Sequence, residues 1–283
     1  MTTDPGATYL APSTVSEAVE MLATAGGTVL AGGTDFYPAR VGRPLTEAVV
    51  DITGVTEMRG ISRGDDEFRI GALTTWTDVV WADLPTCFDG LKLAAGEVGG
   101  VQIQNAGTVG GNLCNASPAA DSIPPLLTLD AEVELASLRG TRRMAVDDFV
   151  VDYRQTAIDE DELMTAVLVP TDRSQAASDF IKLGSRRYLV ISIVMVATLI
   201  AKNDAGVIEE ARVSVGAASP VAVRLPELEA ELVGKSPEDD LASVVRPAHL
   251  SALSPIDDPR APAGYRIEAA QQLVARSLAN CAR

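Results

Sequence analysis

The sequence predicts an α+β fold from three observations. Short apolar runs rich in Val and Ile alternate with segments of helical period, and no stretch repeats another. Two glycine pairs, Gly32-Gly33 and Gly110-Gly111, each follow a strand-like run and open a polar one. With 47% apolar residues, the 283-residue chain can bury one large core or two modest ones.

The elements follow in order. Thr14-x-x-Glu17 can cap a helix in which Val15, Ala18, Val19 and Leu22 share one face, and Gly26-Gly27 ends it. A strand is predicted at Thr28 to Ala31 and another at Ala48 to Ile52, a βαβ-like first unit of about fifty residues. A larger unit then runs to Pro170. It has a strand at Phe68 to Ala72, helices near Thr75 to Ala82 and Leu91 to Glu97, and strands at Ala131 to Leu135 and Leu163 to Val169. The polar, small residues Thr171 to Ser178 read as a linker. Strands at Asp179 to Leu183, Leu189 to Ala201 and Ala211 to Val215 follow, with helices near Glu227 to Val233 and Tyr265 to Asn280. In the last helix Ile267, Ala270, Val274 and Leu278 form a stripe best explained by core packing.

Glycine reaches backbone angles closed to other residues, so successive N–H groups can converge on one oxyanion. Each such contact to phosphate is a charge-assisted hydrogen bond. Thr34 and Thr108 can add hydroxyl donors, while Asn112 and Asp121 can fix the amides and hydroxyls of a nucleotide-sized ligand. Either pair alone is also what an ordinary tight turn uses. Together, in different units, they suit a pyrophosphate gripped between lobes.

Composition excludes other classes. A formal charge of −16 argues against a nucleic-acid surface, which needs clustered Lys and Arg. The acidic runs 65–67, 159–162 and 238–240 read as solvated faces. Cys87, Cys114 and Cys281 form no CxxC and cannot ligate an iron–sulfur cluster or structural zinc, so no metal centre is expected. Cys114 is expected to be a small buried hydrophobe. The odd cysteine count and the lack of an apolar signal segment predict a cytoplasmic protein. Tyr188 to Ala201, the longest apolar stretch, is too short for a transmembrane helix. No Gly-x-Gly-x-x-Gly or Gly-x-Ser-x-Gly occurs, and Gly234-Lys235-Ser236 lacks the first glycine of a P-loop, Glu229 standing there. The single histidine, His249, is expected at the surface or in a loop.

The wording of the two glycine segments resembles the FAD-binding medium subunits of the molybdenum hydroxylases, the xanthine, carbon monoxide, aldehyde and N-heterocycle dehydrogenases. Ala31-Gly32-Gly33-Thr34-Asp35 stands as that family's first motif. Gln102 through Asp121 reproduce its second, with Gln104 in place of arginine. Phe180-Ile181-Lys182-Leu183-Gly184-Ser185-Arg186-Arg187 resembles the segment that enters the family's last domain, although Val190 stands where an Asp is common. The resemblance implies the two-lobed fold shared with vanillyl-alcohol oxidase and p-cresol methylhydroxylase, with residues 1–172 binding FAD (lobes about 1–53 and 54–172) and 173–283 forming a C-terminal α+β domain.

It further implies noncovalent FAD held by Val29, Leu30, Ala31, Gly32, Gly33, Thr34, Asp35, Phe36, Thr108, Gly110, Gly111, Asn112 and Ser117. Val98, Gly99, Asp121, Met164 and Lys182 complete the implied contacts. No catalytic residue is implied in this chain. An iron–sulfur subunit and a large molybdopterin subunit, in a heterotrimer or its dimer, would supply the electrons, and NAD, oxygen, a quinone or a carrier protein would accept them. The alternative is a self-contained FAD-dependent oxidoreductase or nucleotide-binding module of the same fold, which would turn over its substrate alone.

Overall fold

The computed structural model describes residues 8–236 and 239–282. Glu238, in the third acidic run, lies outside them. The fold is α+β and is built around three main sheets.

The first sheet is small and parallel. β1 (Tyr9–Leu10) and β2 (Thr28–Leu30) flank β3 (Val49–Asp51), and α1 (Val15–Ala25) connects the first two. The Thr14 hydroxyl caps α1 by accepting from the Glu17 amide, 3.2 Å away. The Glu17 carboxylate turns back to the Ser13 amide rather than closing the expected box on Thr14. Gly26 and Gly27 end the helix at φ +61° and +102°, where a side chain would be strained. The two-residue β1 is too short to be visible as a sequence period.

The second sheet is antiparallel. After β4 (Ile61–Arg63) and β5 (Glu67–Gly71), four short helices and a fifth follow: α2 (Trp76–Trp81), α3 (Asp89–Glu97), α4 (Val101–Ala106), α5 (Val109–Asn115) and α6 (Ile123–Thr128). The chain continues through β6 (Glu132–Ser137), β7 (Gly140–Ala145), α7 (Val146–Phe149), a hairpin of β8 (Val150–Asp152) and β9 (Gln155–Thr156), and β10 (Leu163–Pro170). The sheet order is β4-β5-β10-β6-β7, so β10 is central. Its residues Leu163 to Val169 are all buried, which explains their unbroken apolar run. Trp76, Phe88 and Ile70 fill the core beside it, and Phe68 meets Phe88 edge-on at 5.0 Å. Each such side chain contributes roughly 1.5–3 kcal/mol by leaving water.

The third sheet is antiparallel in simple sequence order: β11 (Ala177–Leu183), β12 (Val194–Lys202), β13 (Ile208–Gly216) and β14 (Val223–Arg224). Strand β12 begins five residues later than predicted, because Leu189 to Ile193 form a loop entering the strand. α8 (Pro226–Leu232), α9 (Leu241–Val244) and the long α10 (Ala263–Ala282) cover one face, α10 burying Ala270, Val274 and Leu278. The other face receives α3 and α6 from the preceding unit.

Helix α6 is wedged between the units. Two prolines occupy its first turn, where no intrahelical N–H bond is lost. A Cβ on Gly216 would come within 2.9 Å of the Pro124 ring, a measure of how closely α6 rests on β13. At its C-terminal end, Arg212 and Arg224 donate to the Thr128 and Leu127 carbonyls. Both also pair with Asp130, which Arg173 approaches at 3.5 Å.

Candidate functional site

The first glycine segment leaves β2 at Leu30 and turns sharply. Gly33 has φ +71°, and Gly32 lies so close to the second segment that a Cβ would fall 1.9 Å from the Ala106 carbonyl oxygen. Beyond them the Arg40 guanidinium stacks 3.9 Å over the Phe36 ring, donates to the Phe36 carbonyl and pairs with Glu47. The turn is thereby fixed from both ends. Among the described residues, the N–H groups of Gly32, Gly33, Thr34, Asp35 and Phe36 find no acceptor in the chain.

The second glycine pair differs from expectation. Gly110 and Gly111 lie in the first turn of α5, not in a loop, and Thr108 is its N-cap rather than a strand residue, accepting from the Gly111 amide at 3.1 Å. The Val109 and Gly110 amides donate to the Thr74 and Ala72 carbonyls at 3.0 and 2.9 Å. These tertiary acceptors stabilise a helix that two glycines would disfavour on propensity. They also occupy the amides that a free loop would offer to an anion. Gly110 is needed for packing, since a Cβ there would meet the Ala72 Cβ at 2.7 Å.

A cleft of about 820 Å³ runs between the first two sheets' loops and the third unit. Of the residues predicted for the site, Asp35, Val98, Gly99, Asn112, Ser117, Asp121 and Lys182 form its walls. Val29, Leu30, Ala31, Gly32, Gly33, Thr34, Phe36, Thr108, Gly110, Gly111 and Met164 do not. Leu30 and Met164 are buried in the core, and Thr108 is buried at the N-cap of α5. Sequence reasoning missed several walls: Asn115 on α5, Tyr153 and Arg154 at the tip of the β8–β9 hairpin, Val190 to Ser192 before β12, and a stretch between Ser254 and Arg266. No spacing in the sequence joins these distant segments.

Polar groups on the walls are held in place. Asn112 Oδ1 accepts from the Ser122 hydroxyl at 2.6 Å, which leaves its amide nitrogen without an acceptor among the described residues. Ala116, at φ +43°, ends α5 and turns Ser117 to Asp121 along the cleft. Arg154 donates to Asn115 Oδ1 at 2.7 Å. Gln104, the departure from the motif, donates to the Gly96 carbonyl at 2.9 Å, steadying the turn that carries Val98 and Gly99.

At the wall shared with the third unit, Lys182 Nζ lies 2.6 Å from Asp121 Oδ2 and also donates to the Glu97 carbonyl at 3.1 Å. Ser192 donates to Asp121 Oδ1 at 2.7 Å. Burial pushes the Asp121 carboxyl up, against the opposing pull of the Lys182 ammonium and the Ser192 hydroxyl. Behind them the buried Arg266 of α10 donates to the Ile193 and Ala217 carbonyls and pairs with Asp258 at 2.7 Å.

Two expectations outside the cleft are corrected. His249 is neither at the surface nor in an irregular loop but buried in the 3-10 turn Pro247–Leu250, where its Nδ1 accepts from the Arg246 amide and its Nε2 approaches Glu231 at 3.4 Å. Cys114 is exposed, since helix α5 turns Leu113, and not its neighbour, into the core. No helix among the described residues is long and apolar enough to cross a membrane.

These features define a protein with an interlobe cleft of cofactor size, and comparison with known proteins assigns its class. Residues 4–172 match the family described as the FAD binding domain in molybdopterin dehydrogenase, and residues 179–281 match the CO dehydrogenase flavoprotein C-terminal domain. The nicotinate dehydrogenase FAD-subunit of Eubacterium barkeri is 34% identical over 234 residues, covering 80% of this chain and 79% of that protein. The carbon monoxide dehydrogenase medium chain of Hydrogenophaga pseudoflava is 28% identical over 284 residues, covering 95% of each. Among solved structures, carbon monoxide dehydrogenase from H. pseudoflava, in a form lacking the Mo-pyranopterin moiety of its molybdenum cofactor, superposes with a TM-score of 0.87. It is 27% identical, and the match covers 98% of this chain and 97% of that one. Quinoline 2-oxidoreductase from Pseudomonas putida 86 also gives 0.87, at 25% identity, with 98% and 97% covered.

The chain belongs to the FAD-binding subunits of the molybdopterin dehydrogenases. It is therefore a flavoprotein and an oxidoreductase subunit, with FAD as its cofactor.

Proposed function

We propose that this chain is the electron-transfer subunit of a molybdenum hydroxylase complex. It holds FAD noncovalently, takes electrons from an iron–sulfur partner subunit and passes them to an external acceptor. A large molybdopterin subunit hydroxylates the organic substrate. Residues 1–172 form the FAD-binding part, with lobes about 1–53 and 54–172, and 173–283 the C-terminal part. The complex works in the cytoplasm.

The observation that carries this reading is the run of five backbone N–H groups, Gly32 to Phe36, with no acceptor among the described residues, in the turn that leads Asp35 to the cleft. Such a nest of amides fits a diphosphate, and no lysine is required. Val29 to Ala31 anchor the turn. Thr34 adds a hydroxyl, while Asn112 and Ser117 offer donors from the opposite wall, and Val98 and Gly99 present main chain. Thr108, Gly110 and Gly111 act at one remove, building the surface on which the first turn rests. Met164 holds the core behind that surface. Asp121 and Lys182 face the end of the cleft proposed for the isoalloxazine. FAD supplies the redox chemistry, accepting and releasing electrons, and the protein supplies orientation and electrostatics.

Acid precipitation of the purified chain tests the first part. Soluble FAD should be released. Flavin retained on the polypeptide would refute noncovalent binding, and FMN would refute the diphosphate site. Native purification should bring down an iron–sulfur and a molybdopterin subunit. Robust oxidation of an organic substrate by this chain alone would instead establish a self-contained flavin enzyme.

A further inference from the structure

The pair Lys182–Asp121 is the one ion pair among the described residues with both side chains almost wholly buried, 5% and 6% exposed, and both line the cleft. A buried pair recovers its desolvation cost only with good geometry and is weak evidence of a stabilising purpose. Titratable groups buried at a cleft wall with a specific charge partner are candidates for a role toward a ligand. The valences sharpen the assignment. Both Asp121 oxygens are occupied, one by Lys182 and one by Ser192, so the carboxylate is committed within the protein. The ammonium has three N–H groups, and the described residues supply acceptors for two, Asp121 and the Glu97 carbonyl. The Glu97 carboxylate is engaged elsewhere, by Arg187 at 3.0 Å. One N–H of Lys182 is left for a group in the cleft.

We propose that the Lys182–Asp121 pair sets the electron affinity of the bound flavin. Lys182 is the fixed positive neighbour that favours the more negative, reduced cofactor. Asp121, held by Ser192, is the positioning residue that fixes the ammonium and offsets part of its charge. This rests on the FAD site proposed above.

The pair has opposite signs, so its two halves must act oppositely. The midpoint potential of the FAD-loaded full chain would be read by equilibration with a reference dye. Lys182→Met should weaken binding of reduced relative to oxidised FAD by about tenfold, which lowers a two-electron potential by ~30 mV. Lys182→Gln, which keeps a donor for Asp121, should do the same, and Lys182→Arg should restore the wild-type value. Asp121→Asn should raise the potential, and the double variant Lys182→Met/Asp121→Asn should return towards wild type. A merely structural role would lower FAD content in all variants without opposed shifts. Shifts of one sign, or unmoved potentials in variants that retain FAD, overturn the proposal. Absence of FAD from the wild-type chain would overturn the site itself, and FAD content is therefore measured first.

Discussion

Gly32→Ala tests the contact between the two glycine segments. The added Cβ would stand 1.9 Å from the Ala106 oxygen, 2.7 Å from its carbon and 3.0 Å from the Gly107 Cα, all main-chain atoms. No rotamer change relieves such a clash. The opposing segment is also held, with Gly107 N donating to the Ile103 carbonyl at 2.6 Å and Val109 N to the Thr74 carbonyl at 3.0 Å. The displacement therefore falls on the turn Ala31 to Phe36. Overpacking of this kind costs roughly 1–3 kcal/mol, and each kcal/mol lowers the melting temperature of a chain of this size by about 2–4 °C. Moving one amide out of register with a phosphate oxygen removes a hydrogen bond to a charged group, about 1.5–3 kcal/mol. FAD affinity should then fall by roughly ten- to a hundredfold. Calorimetric titration of the flavin-free chain with FAD, beside a thermal melt, separates the two effects. A lower melting temperature with unchanged FAD affinity would refute the phosphate role of the turn. No change in either would refute the contact itself.

Three further outcomes follow from other parts of the structure. Gly96 lies on an exposed turn of α3 with open space around it, so Gly96→Ala should raise stability by up to about 1 kcal/mol in a denaturant melt. Arg266→Met would leave the Ile193 and Ala217 carbonyls without their donor while Asp258 keeps Arg260, and should destabilise the chain by about 1–3 kcal/mol, read as a lower urea midpoint. Glu162 accepts two bonds from Arg142, at 2.6 and 2.7 Å, and one from the Asp159 amide, and the Arg142 guanidinium holds its carboxyl below the ordinary value of 4.5. A folded-state value below the unfolded one contributes stability that is fully present above the unfolded value and is lost as pH falls through the depressed one. The melting-temperature gap between wild type and Glu162→Gln should therefore be steady near neutrality and close below pH 4.5. A gap that persists in acid would assign the effect to shape rather than charge.

The strands and long helices were legible because burial repeats along them. The apolar run of β10 and the stripe on α10 announced themselves, as did the Thr14 cap. What escaped depends on contacts between distant residues. α5 was unreadable as a helix because glycine pairs disfavour one, and the Ala72 and Thr74 carbonyls that stabilise it lie more than thirty residues upstream. Asp121 was legible as a site residue, but its partners Lys182 and Ser192 stand 61 and 71 residues away, so its commitment to them was not. His249 was misplaced for the same reason, as Glu231 approaches it from an earlier helix.

Helix α6 has one more consequence. Its C-terminal carbonyls are capped by arginines of the third unit, and just before its start Asp121 is bonded to Lys182 and Ser192 of the same unit. Domain closure needs a hinge free to absorb a change in backbone angles, and a helix keyed at both ends offers none at this seam. At this seam the two walls of the cleft are keyed to one another rather than hinged. Tyr153, Leu189 and Ile256, all exposed, form part of the rim of the cleft whose walls this seam holds in register.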